Sequence, residues 1–330
     1  MDPVTADPAD RPPSSPAPRV GARPSPSRRF VVAMGLLMAL GAFVIHLALE
    51  REFARLQVFS QANVLFDADP NEVLDTLATG GGGRQGFIHP GIRVFFTAPI
   101  KVAALAISKV SAGTSDTSYW RRRLALLAAP TSAALFYVVL LNILLRIGVS
   151  SVDSCVLTLL AFLSFSQLLF GSIPESFPVS NLAVAVAFLL FVVPPNDDNT
   201  SRAAAWVAVG VFAAGITITN IVPVAILLWL DGVAFGVGVV RSCLKTAILS
   251  LVAVGVILSV NVVTNRAAGI QSQASSDTTF VTRFASLTPR VVARKFLTFP
   301  AVLVNTIVAP MPRMAPDAFA RSISARYPFR

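Results

Sequence analysis

The stretch SRRFVVAMGLLMALGAFVIHLALE, residues 27–50, decides the fold class. From Val31 to Leu49 it carries one polar side chain, His46. Roughly 20 apolar residues are enough for a helix to cross the hydrocarbon of a bilayer. The run is long for the apolar core of a secretory signal, about 7–15 residues, and lacks a small-x-small cleavage site. Although SRRF echoes a twin-arginine signal, the apolar runs that follow favour an uncleaved first membrane helix. An Arg-rich N-terminus stays inside, which puts the loop after this helix outside. His46, near the helix end, is expected at the interface.

Upstream, residues 1–29 are rich in Pro, Ser, Ala and Asp, and are expected to form a disordered cytoplasmic tail. Downstream, apolar segments recur at 91–108, 124–145, 152–170, 177–194, 203–219, 221–240, 246–264 and 296–309. Turn chemistry separates them at Gly171-Ser172-Ile173-Pro174, at Pro194-Pro195-Asn196-Asp197-Asp198 and around Asn220 and Pro223. The runs are continuous rather than alternating, which selects helices over a membrane barrel. The expectation is an all-α, polytopic bundle of about eight membrane helices over residues 30–312. It carries an extracytoplasmic loop at 50–89, a second polar loop at 265–295 and a basic tail at 313–330.

Composition agrees. Of 330 residues, 54% are hydrophobic and 13% charged, against about 25% charged in soluble domains. The net charge of +10 sits at the edges of apolar runs, as with Arg28-Arg29 and Arg121-Arg122-Arg123. That pattern belongs to membrane topology, and no nucleic-acid-binding module is present. Cys155 and Cys243 form no CxxC pair and read as apolar filler.

Sidedness hinges on the segment 91–108. It holds Arg93 and Lys101, and Pro99 breaks it. A charge at bilayer depth costs about 2.5–3.5 kcal/mol on insertion scales. Should every run cross, Glu175 falls in the cytoplasm. With 91–108 lying against the interface, parity flips, and Glu175 and Asn220 join Asp67 and Asp69 outside. The second arrangement is preferred, although it places Arg121, Arg122 and Arg123 outside, against the positive-inside rule.

Five places carry chemistry-capable side chains. In LFDADP, residues 65–70, the carboxylates Asp67 and Asp69 can bind a divalent cation such as Mg or Mn, or one can serve as a base. The bland alternative is a solvated loop in which Asp69-Pro70 starts a turn or helix. His89-Pro90 offers a proton shuttle or phosphate ligand, or only a helix start. Gly80 to Gly83 with Arg84 lack the GK[ST] sequel of a P-loop, so the glycines suit a flexible substrate-covering loop. Glu175 is the only acid between Asp153 and Asp197. A carboxylate at membrane depth needs a partner or a function, whereas one at headgroup level merely closes a turn. Asn220, where two apolar runs meet, either caps a helix or bonds a substrate. Arg283, Arg290, Arg294 and Lys295 can hold a phosphate or anchor the chain at headgroups.

The order LFDADP, HPGIRVFFTAPI, FGSIPESF, GITITNIVP, over about residues 30–240, resembles the bacterial membrane glycosyltransferases of the GT-C superfamily. The resemblance implies a GT-C-like fold and sugar transfer from a polyprenyl-phosphate donor on the extracytoplasmic side of the cytoplasmic membrane. It implies a base or metal role for Asp67 or Asp69, support from Glu175, and substrate contacts from His89, Asn220 and Arg84. The chain departs from that family in having no apolar segment after about residue 310. Two rival expectations stand beside it. A transporter would use the break at Asn220–Pro223, and a non-catalytic membrane scaffold would suit the short length.

Overall fold

A computed structural model describes residues 28–56, 70–79, 89–111, 116–194 and 199–267. Asp67, Asp69, Arg84, the 313–330 tail, the segment 296–309 and all but the start of the second polar loop lie outside these residues.

All regular structure among the described residues is helical. α1 (Arg28–Arg55) is followed by the short α2 (Pro70–Thr79). A π-helical turn, Arg93–Thr97, runs into α3 (Ala98–Val110). Then come α4 (Thr117–Leu126), α5 (Ala128–Arg146), α6 (Ser151–Leu163), α7 (Phe165–Phe170) and α8 (Phe177–Val192). The last are α9 (Asn199–Ile216), a 3-10 turn at Ile218–Asn220, α10 (Ile221–Ala234) and α11 (Val239–Ala267).

The expected GT-C-like bundle of about eight membrane helices is corrected. Among the described residues, three helices are long and apolar enough to cross a membrane: Arg29–Arg55, Thr117–Arg146 and Val239–Thr264. Ser151–Leu163, Phe177–Val192, Thr200–Ile216 and Ile218–Ala234 are apolar but shorter, at 10–17 residues. The backbone explains the difference. The run 152–170 breaks at Ser164, whose extended backbone (φ −64°, ψ 137°) separates α6 from α7. The run 221–240 breaks after α10, where Gly236 takes φ +77°, a conformation that favours glycine.

Two of the three long helices leave most of their apolar surface uncovered by the rest of the described protein. Only 17% of the apolar window of Arg29–Arg55 and 11% of that of Val239–Thr264 are buried within the protein. Leu36, Leu37 and Leu40 on α1 and Val240 and Leu251 on α11 point outward. Exposed apolar side chains along two long helices are the pattern expected of a membrane-facing surface.

Packing fixes the helix directions. α1 runs antiparallel to α5: Gly35 approaches Val138, Ala42 packs with Ala133, Ala134 and Tyr137, and Phe53 meets Leu126 around Ile173. His46 bonds Ser172, so the 171–176 turn also lies where α1 finishes. Ala128 and Ala129, which open α5, line a crevice with Glu175. The C-terminus of α9 joins this same end through His89. At the opposite end, Arg202 of α9 meets the end of α8 and Asp231 of α10. Segment 91–108 stays at the His89 end. α3 and the π-turn pack on α2 and α4, with Val73, Leu77, Ile92, Ile100 and Ala125 in one cluster.

Candidate functional site

The site is built at the His89 end from four separated pieces of chain. His89 and Pro90 lie in a turn that Ile92 closes by donating to the His89 carbonyl at 3.2 Å. This turn docks on the C-terminus of α9. The Gly91 amide donates to the Gly215 carbonyl at 2.7 Å, and His89 Nδ1 bonds the Ile216 carbonyl. Those carbonyls belong to the last turn of a helix, where no intrahelical donor reaches them. Two glycines permit the approach. A Cβ on Gly91 would stand 2.7 Å from Gly215 Cα, and one on Gly215 would reach the Phe95 ring.

The bond to Ile216 fixes the histidine. A carbonyl only accepts, so Nδ1 carries the proton and Nε2 the lone pair. Burial pushes His89 below the ordinary histidine value of 6.5, with the Ile216 bond pulling the other way. Nδ1 also lies 3.3 Å from Thr217 Oγ1. Thr217 Oγ1 is 3.4 Å from Ser180 Oγ, and Asn220 Nδ2 donates to Ser180 Oγ at 2.9 Å. His89, Thr217, Ser180 and Asn220 therefore form one polar chain across three elements. Asn220 occupies the N-cap position of α10, yet its side chain makes no capping bond. Its amide turns to α8 instead, so the capping expectation is corrected.

Glu175 stands beside this chain. It is 8% exposed, and its Oε2 accepts from the Ser176 amide at 2.9 Å, at the start of α8. A helix N-terminus favours negative charge, so the local fold suits a carboxylate there. The crevice around it is walled by Val73 and Leu77 of α2, Ile92, Phe96, Val179 and Ile216. α2 is held in place by Thr97 Oγ1, which donates to the Thr76 carbonyl at 2.9 Å. Its first residue, Pro70, directly follows Asp69. The structure thus brings Glu175, His89 and Asn220 to one end, beside the helix that begins where the acidic loop stops. Asp67, Asp69 and Arg84 lie outside the described residues. Among the described residues, no three His, Cys, Asp or Glu side chains gather to hold a metal.

Two polar clusters were not foreseen. His46 is fully buried within the protein. Ser172 Oγ donates its proton to the Leu168 carbonyl at 2.6 Å. It must therefore accept at 2.9 Å from His46 Nδ1, leaving Nε2 for the Tyr137 hydroxyl at 3.5 Å. Gly171 is obligatory here, because a Cβ would strike the His46 ring. One turn on, Glu50 is 2% exposed, and neither carboxylate oxygen has a hydrogen-bond partner among the described residues. The second cluster joins Arg202, Asp231 and Trp206 at the far end. The sequence signal available for both was the isolated charge: Glu50 at the edge of one apolar run and Asp231 inside another.

The chain was compared with family models, curated proteins and solved structures, and it matches none of them.

Proposed function

We propose that this chain is an integral membrane glycosyltransferase of the cytoplasmic membrane, taking a sugar from a polyprenyl-phosphate donor at its His89 end. One observation carries the reading. Glu175, His89 and Asn220, singled out from three separate motifs, meet at one end beside the helix that follows Asp69. The order of those motifs along the chain, similar to the GT-C enzymes, supports the same reading.

In this proposal a carboxylate of the acidic loop, Asp67 or Asp69, removes the proton from the acceptor hydroxyl. The hydroxyl oxygen attacks the anomeric carbon, the bond from that carbon to the phosphate oxygen breaks, and the lipid phosphate leaves with the electron pair. His89 and Asn220 bond sugar hydroxyls, and Glu175 orients the head group. The end that holds these groups is the extracytoplasmic one.

The test is conversion of a radiolabelled polyprenyl-phosphate sugar by membranes containing the full chain. Turnover that falls at least 100-fold in Glu175→Gln and in Asp67→Asn plus Asp69→Asn supports the assignment. Full activity of the Asp double variant removes the base. Movement of labelled solute across the membrane with no covalent product would make the chain a transporter.

A further inference from the structure

The three arginines of α4 contradict their own topology. Arg28 and Arg29 open α1, and Arg121, Arg122 and Arg123 precede α5. Because α1 and α5 are antiparallel, the two basic clusters lie at opposite ends. Positive charge normally marks one side of a membrane protein. One cluster is therefore on the side where topology alone gives it no reason to be.

The local structure shows what that cluster is built for. Thr117–Arg146 is 30 residues long, roughly 10 more than a bilayer crossing needs. The surplus is α4, and the arginines fall in it, beyond the apolar stretch. Arg122 and Arg123 are exposed. Arg123 stacks on the Tyr119 ring at 5.2 Å, and Tyr119 meets Trp120 edge-on at 5.3 Å. Tyr and Trp with cationic neighbours are the side chains that suit the headgroup layer. The nearby acid is engaged at the helix start. Asp116 caps α4, its carboxylate accepting from the Ser118 amide and hydroxyl, each at 2.8 Å. Of the three guanidinium groups, that of Arg121 acts on the Asp116 carboxylate, and Arg121 Nε is buried with no hydrogen-bond acceptor among the described residues.

We infer that Arg122 and Arg123, framed by Tyr119 and Trp120 on α4, form a docking surface for the headgroup of an anionic phospholipid. A lipid phosphate supplies the acceptors that a guanidinium fork matches in pairs. It also supplies the negative charge that offsets an arginine cluster at the wrong end. This surface rests on the membrane character of the chain and not on sugar transfer, so a binding measurement tests it apart from turnover.

The experiment titrates the full chain, in neutral detergent, with phosphatidylglycerol and with phosphatidylcholine, reading retained lipid by native mass spectrometry. The account predicts preferential retention of phosphatidylglycerol. It predicts a loss of about 30-fold in Arg122→Gln plus Arg123→Gln, at about five-fold per arginine. Both side chains are exposed, so folding is unaffected and unchanged helicity verifies it. Arg146→Gln, at the opposite end of the same long helix, keeps the wild-type affinity. Equal retention in the double variant overturns the assignment, as does an equal loss in Arg146→Gln. Displacement by equimolar inorganic phosphate overturns it as well, since the site would then bind a free anion.

Discussion

The two ends of the helical assembly use buried polar groups in opposite ways. At the Arg202 end one cluster, Arg202 with Asp231 and Trp206, spends its groups on its neighbours. Arg202 Nε donates to Asp231 Oδ2 at 3.0 Å and a second nitrogen pairs with Oδ1. The remaining donors reach the Val193 and Leu190 carbonyls. Trp206 Nε1 adds a bond to Asp231 at 3.0 Å, and the Phe235 ring lies under the guanidinium at 5.2 Å. At the His89 end the polar atoms hold one another only partly. His89 engages Nδ1 and keeps the lone pair of Nε2, and Asn220 is anchored through its amide nitrogen. A saturated cluster clamps helices; an unsaturated one has valences left for a substrate.

That contrast can be broken by mutation. The largest effect falls at the saturated end. Asp231→Asn or Arg202→Met leaves a buried charge without its counterpart, at a cost of about 3–5 kcal/mol. Thermal unfolding in detergent should show it, while Glu175→Gln shifts the transition little. Similar losses at both ends would erase the distinction.

Next come the crossing glycines. Gly215→Ala forces its Cβ onto Phe95 and within 3.1 Å of Ile257, which should cost about 1–3 kcal/mol and loosen His89. Gly41→Ala, whose Cβ meets nothing within 4 Å, is the control and should leave the unfolding transition in place.

Glu50 sharpens the comparison from a third position. Its two oxygens are buried without hydrogen bonds to any described residue, a state that costs about 1–3 kcal/mol per group. Glu50→Met should therefore raise stability by an amount of that order, measured by chemical denaturation in detergent. A destabilised variant would mean that the carboxyl does structural work.

The smallest effect is a pH dependence. His89 is depressed by burial below 6.5, so the unfolded chain takes up its proton first as pH falls. The stability this histidine contributes is complete above pH 6.5. It declines as pH drops from there through the lower folded value. Unfolding midpoints recorded across that window should fall less steeply in His89→Gln than in the unaltered chain. Parallel slopes would take His89 out of the account.

Much of the helical content was legible in the sequence, and the membrane character with it, because continuous apolar runs admit few other folds. The number of spans was not. Hydropathy reports composition, and it cannot see the backbone turn at Ser164 or the positive φ of Gly236 just after α10. Glu175, His89 and Asn220 were legible because each breaks an apolar pattern beside a turn. Their convergence was an inference from order along the chain. The partners of Asp231 and His46 were not legible: Arg202 lies 29 positions from one and Ser172 126 from the other. Only the folded helices bring such residues together.

The central claim is that one water-facing end gathers these groups, and cysteine-accessibility mapping in sealed membranes tests it most directly. Single cysteines at positions 67, 175 and 220 are challenged with an impermeant thiol reagent from each side. The account predicts that all three react from the same side, the one opposite the N-terminal arginines. Labelling of position 175 from one face and position 67 from the other would contradict it.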